Sequence, residues 1–166
     1  MQFLTIAAAL ASSALVSAAP KASSEPLERR ACSVAYPASI GFPINYDVHQ
    51  DANGANARTN IVSFNNIPAG SYGCQLEVNF PTNYPITHSG ASTVSVFTLD
   101  KNGKEAGLFG TVNFVSSPVA PTKYVINSAT CSNLMTYELK IASPTLAGRT
   151  AFADTKDAGI TMTYNC

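Results

Sequence analysis

The sequence predicts an all-β protein, a single antiparallel β-sandwich of about eight to nine strands with two disulfides, and three features carry that expectation. From Ser33 onward apolar residues recur with a period of two, the spacing of strands that bury one face. Asn, Pro and Gly fill the breaks between those runs. Four cysteines, Cys32, Cys74, Cys131 and Cys166, stand far apart behind an apolar leader, the pattern of a chain oxidised in the secretory pathway.

Residues 1–19 have the make-up of a secretory signal: an apolar run from Phe3 through Val16 closes on Ser17-Ala18-Ala19. Residues 20–30 form a polar propeptide ending in Arg29-Arg30, a dibasic site for a kexin-type protease, so the secreted product is expected to begin at Ala31. Residues 31–166, about 136 of them, suffice for one domain. Within it Val62 and Phe64 alternate with Ile61, Ser63 and Asn65, and Leu76, Val78 and Phe80 alternate with Gln75, Glu77 and Asn79. Val94 and Val96 begin a third strand, Val112 and Phe114 lie in a fourth, and Asn102-Gly103 between them predicts a hairpin joining 92–99 to 107–115. Tyr124-Val125-Ile126, the run Met135, Tyr137, Leu139, Ile141, and finally Ile160, Met162, Tyr164 complete the series.

Composition excludes several functions. Ten basic residues balance ten acidic ones without clustering, so no stripe exists to displace counterions from a nucleic acid. No stretch after the leader is apolar for the roughly twenty residues that a membrane span needs. The wide cysteine spacing fits neither a redox C-x-x-C nor a zinc ribbon; of three pairings, Cys74 with Cys131 and Cys32 with Cys166 is favoured. No Asn-x-Ser/Thr sequon occurs.

Catalytic constellations are equally sparse. Asp47, His49 and Asp51 would share one face of an extended chain, as metal ligands do, but lead into Asn53-Gly54 and are assigned to a solvated loop. His88 lies in another polar loop, and no G-x-S-x-G elbow offers a serine nucleophile. Asp154 and Asp157 are assigned to loop charges beside Lys156 and Gly159, while Glu77 and Glu138 occupy the polar phase of their strands and are expected to face solvent. No metal or cofactor is expected. There is no Trp to form a sugar platform; Tyr46, Tyr72 and Tyr84, in or near turns, are the exposed aromatic candidates for ligand binding, whereas Tyr137 and Tyr164 follow the apolar phase into the core. Recognition is therefore expected in the loops 47–58, 81–89 and 143–159.

Taken in order, Val62-Ser63-Phe64-Asn65-Asn66-Ile67-Pro68, Cys74 to Pro81, Gly90 to Phe97, Cys131 with Leu134 and Tyr137-Glu138-Leu139, and the closing Ala158 to Tyr164 resemble the fungal But-two C-terminal domain family over roughly residues 34–165. The resemblance implies the fold and supplies no catalytic residues; the chain lacks the tryptophan of some members. The family takes its name from a protein linked to an activating enzyme for a ubiquitin-like modifier. That enzyme is intracellular, and Met1 to Arg30 send this chain outside, so the partner is not carried over. The expected protein is a secreted, monomeric, disulfide-stabilised and non-enzymatic cell-wall, surface or host-interaction protein, its partner an extracellular protein or cell-wall glycan. The alternatives are a small secreted polysaccharide hydrolase and a carbohydrate-binding module.

Overall fold

A computed structural model describes residues 31–38, 40, 41 and 43–166; the leader and the dibasic site lie outside the described residues. Within them the chain forms β1 (Ser33–Ala35), β2 (Ile44–Gln50), β3 (Asn60–Phe64), β4 (Cys74–Phe80), β5 (Ile86–Gly90), β6 (Val94–Leu99), β7 (Glu105–Val112), β8 (Thr122–Ala129), β9 (Met135–Ile141), β10 (Gly148–Asp154) and β11 (Gly159–Tyr164). All pairings are antiparallel, and the strands assemble as β1-β11-β4-β8, β3-β9-β6-β7 and a third sheet, β2-β10-β5. The all-β class is as expected, but eleven strands replace eight or nine.

The surplus lies mainly in segments assigned from sequence to loops. Asp47 to Gln50 belong to β2, His88 to β5 and Gly148 to Asp154 to β10, so most of the third sheet was hidden. Its alternation is weak for a physical reason. In β10 the inward positions are Gly148, Thr150, Phe152 and Asp154, of which just one is a bulky hydrophobe, and β5 (Ile86-Thr87-His88-Ser89-Gly90) is an edge strand exposed along most of its length. Strand β2 turns Tyr46, Val48 and Gln50 inward and Asn45, Asp47 and His49 outward.

The expected hairpin is present: β6 pairs with β7 through Asp100-Lys101-Asn102-Gly103. Only Gly103 takes the positive φ (74°), and Asp100 organises the turn, its Oδ1 accepting the N–H groups of Asn102 (2.8 Å) and Lys104 (2.9 Å). The longer loop thus needs one left-handed residue rather than two.

The core is aromatic where the sheets meet. Phe80 of β4 packs edge-on against Phe152 of β10, ring centres 5.3 Å apart, and Phe114, just after β7, lies 4.6 Å from Phe152. One phenylalanine from each sheet or its margin closes this junction, each burial being worth about 2 kcal/mol or more. Tyr137 is buried as expected, while Tyr164 is half-buried. The two four-stranded sheets also meet where β7 approaches β8: Asn127 Nδ2 donates to the Phe109 carbonyl (2.6 Å) and the Tyr124 hydroxyl to that of Asn113 (2.7 Å).

Both disulfides have the favoured pairing, Cys32–Cys166 and Cys74–Cys131. The first holds the three-residue β1 against the end of β11; the second ties the start of β4 to the segment that follows β8.

Candidate functional site

The outer face of β2-β10-β5 is a polar trough with a low floor. Strand β10 runs down its centre and presents Arg149, Ala151 and Ala153 outward, flanked by Asn45, Asp47 and His49 on β2 and by Thr87 and Ser89 on β5. Two alanines on the central strand leave room above the backbone. Over them lies a hollow of about 320 Å³, and a separate cleft of about 570 Å³ opens where Asp47, His49, Ser89 and Arg149 border Gly90 and Gly148. At the upper end Gly148 and Gly90 pair, and a Cβ on either would collide with the backbone carbonyl of Ala91 or Ala147, so glycine is required for the strands to close there.

Charge in the trough is arranged around Asp47. Arg149 grips its carboxylate with both arms of the guanidinium, Nε to Oδ1 at 2.8 Å and Nη2 to Oδ2 at 3.0 Å. His49 Nδ1 lies 3.4 Å from Oδ1 and Arg58 Nη1 3.9 Å from Oδ2, while the Asp47 backbone N–H donates to Asn60 Oδ1 (2.7 Å). The Arg149 hydrogen bond holds the Asp47 carboxyl below the ordinary carboxylate range, and Asp47 raises Arg149 in return. Asp47 and His49 thus form part of an ion-pair cluster on a sheet face. Among the described residues no three His, Cys, Asp or Glu side chains converge in a way that could hold a metal ion.

The tyrosines are not brought together. Tyr46 is buried, 3 % exposed, against Phe152 at 5.5 Å, because its phase in β2 points inward; it offers no platform. Tyr84 stacks on Phe80 (5.2 Å) and donates its hydroxyl to the Ala153 carbonyl (2.8 Å), which makes it a half-buried brace between the β4–β5 turn and β10. Tyr72 alone is widely exposed, at 58 %, in the connection from β3 to β4.

Two carboxylates depart from their expected setting. Asp154 ends β10 with its side chain fully buried. Its Oδ2 accepts the Ile160 N–H (3.1 Å), its Oδ1 has no hydrogen-bond partner, and burial pushes the acid up to about 7. Gly159, at φ 126°, lies so close that any Cβ would strike the carboxyl group. Glu77 does lie on the outward phase of β4, but it is only 6 % exposed, with Lys123 Nζ 3.1 Å from Oε2. Sequence periodicity could not show either burial. The hint available was the short spacing from Asp154 to Gly159 across the turn that carries the chain from β10 to β11 in another sheet.

No protein-family model matches the chain, and no curated protein is similar to it. Among the described residues no helix is long and apolar enough to cross a membrane.

Proposed function

We propose that the chain is a secreted, disulfide-stapled binding protein of the cell wall or cell surface, and that it holds a cell-wall glycan on the outer face of β2-β10-β5 without catalysis. The apolar leader and the two disulfides support the setting. The observation that carries the binding role is the Asp47–Arg149 pair in its trough. Two of the five guanidinium N–H groups are spent on Asp47, which fixes the fork and leaves the others for a ligand, so little side-chain freedom is lost on binding. A polar chain lying over Ala151 and Ala153 would meet donors and acceptors along its whole length.

A hydrolase is less well supported. Asp154 has the pKa of a general acid but is sealed from solvent, and the hollow around Glu77 is lined by Lys123 and Lys156 instead of the second carboxylate that glycoside hydrolysis uses. The test is a pull-down of the secreted protein on insoluble chitin, glucan and cellulose, with soluble products assayed in the same tubes. Retention on one of them without products, weakened about tenfold in Arg149→Ala, is the expected result. Products would establish the hydrolase; no retention would point to a protein partner, and full retention by Arg149→Ala would move the ligand off this face.

A further inference from the structure

The opposite side of the molecule carries a second polar hollow. The outer face of β1-β11-β4-β8 holds a recess of about 170 Å³ with Glu77, Asn79 and Thr163 among its lining groups, Tyr36 beside β1 as an aromatic element, and Lys123 and Lys156 as cations. Two of its polar groups are nine-tenths buried although they sit on the solvent side of a sheet: Glu77 is 6 % exposed and Thr163 4 %. Thr163 Oγ1 has no hydrogen-bond partner, an arrangement that costs stability in a folded protein unless something else satisfies the hydroxyl.

We propose that this recess is a binding site for one neutral pyranose ring, a residue of a glycan. The chemistry of the lining selects the class. An anion would be repelled by the Glu77 carboxylate, and a metal cation by the ammonium of Lys123, 3.1 Å from that carboxylate, with Lys156 lining the same recess. A ligand whose hydroxyls both donate and accept satisfies both signs at once. Glu77 and the Asn79 carbonyl accept, the lysines donate, Thr163 does either, and the Tyr36 ring offers a flat surface to C–H groups. The volume lies below the roughly 300 Å³ at which sites for larger ligands begin, which limits the occupant to a single ring. The Cys32–Cys166 bond has a role here as well: it clamps β1 to β11 and so keeps Tyr36 over the recess. The site is separate from the β2-β10-β5 face and stands or falls independently of it.

The test is nitrogen-edited NMR of the secreted protein titrated with methyl β-glucopyranoside, methyl α-mannopyranoside and N-acetylglucosamine, with sodium sulfate and calcium chloride as ionic controls. At least one sugar should shift the amides of Glu77, Thr161 and Thr163. Affinity should fall about fivefold in Tyr36→Ala and in Thr163→Val, the loss expected for one contact, while Thr163→Val melts at the same or a higher temperature because an unsatisfied hydroxyl is gone. The melting result separates a ligand-binding hydroxyl from a structural one. Should Thr163→Val fail to fold, Tyr36→Ala decides alone, since its side chain is exposed. No shift with any of the three sugars, shifts produced only by the salts, or unchanged affinity in the folded variants would overturn the proposal. Shifts confined to His49 and Arg149 would overturn it too, while favouring the trough on the other sheet.

Discussion

Asp154 should make the protein more stable in acid than at neutral pH, the reverse of ordinary acid denaturation. In the folded state its carboxyl is fully buried and its pKa stands at about 7, against an ordinary value of 3.8. Between those two values the folded chain keeps a proton that the unfolded chain has lost, so stability falls as pH rises through that window. Three pH units at about 1.4 kcal/mol each amount to about 4 kcal/mol. For a domain of this size that corresponds to a drop of roughly 10–15 °C in Tm from pH 4 to pH 8. Asp47 and Asp100 act in the opposite sense, because their pKa values are lowered by Arg149 and by the Lys104 and Asn102 backbone N–H groups; the stability they contribute is lost only as pH falls below about 4, outside the window. Tyr46 and Tyr84, the other titratable groups facing Asp154, have pKa values raised above 10 and stay neutral throughout. Asp154→Asn, the neutral isostere of the protonated acid, should flatten the profile between pH 4 and pH 8. Urea or thermal unfolding across that range measures it. Wild type and variant falling in parallel, or wild-type stability rising with pH, would refute the reasoning, as would carbon-detected NMR titrating Asp154 near 4.

Further outcomes follow from the packing. Closure of loops of 134 and 57 residues implies that removing Cys32–Cys166 costs about 5 kcal/mol and removing Cys74–Cys131 about 4 in the loop-entropy account, read from urea unfolding of the paired Cys→Ser variants. The purified, unreduced protein should show no alkylation without prior reduction. Tyr46→Ala should destabilise by about 3–5 kcal/mol through the cavity left against Phe152, whereas Tyr72→Ala should stay within about 0.5 kcal/mol, a contrast that thermal melts will resolve. N-terminal sequencing of the secreted product should read Ala31-Cys32, and a start at Pro20 would show the dibasic site unused.

The sequence by itself determined the strands whose outward and inward residues differ sharply in polarity. Runs such as Leu76-Glu77-Val78-Asn79-Phe80 and Met135 to Ile141 encode their own buried face, and Asp100 to Gly103 encodes a turn with no help from elsewhere, because both signals lie within a few residues. The four widely spaced cysteines behind an apolar leader likewise announced two staples. Only the tertiary structure decided the third sheet and both candidate sites. Strand β10 buries Gly148 against Ala91, Thr150 against Ser92 and Asp154 against Gly159 and Ile160 of β11, and no local pattern marks a glycine or an aspartate as interior. Glu77 keeps the outward phase its position predicts, yet it is covered by a lysine 46 residues away on β8 and lines a recess shared with Thr163 of β11. Alternation records which side of a strand a residue occupies; whether that side meets water depends on the side chains that distant strands bring beside it.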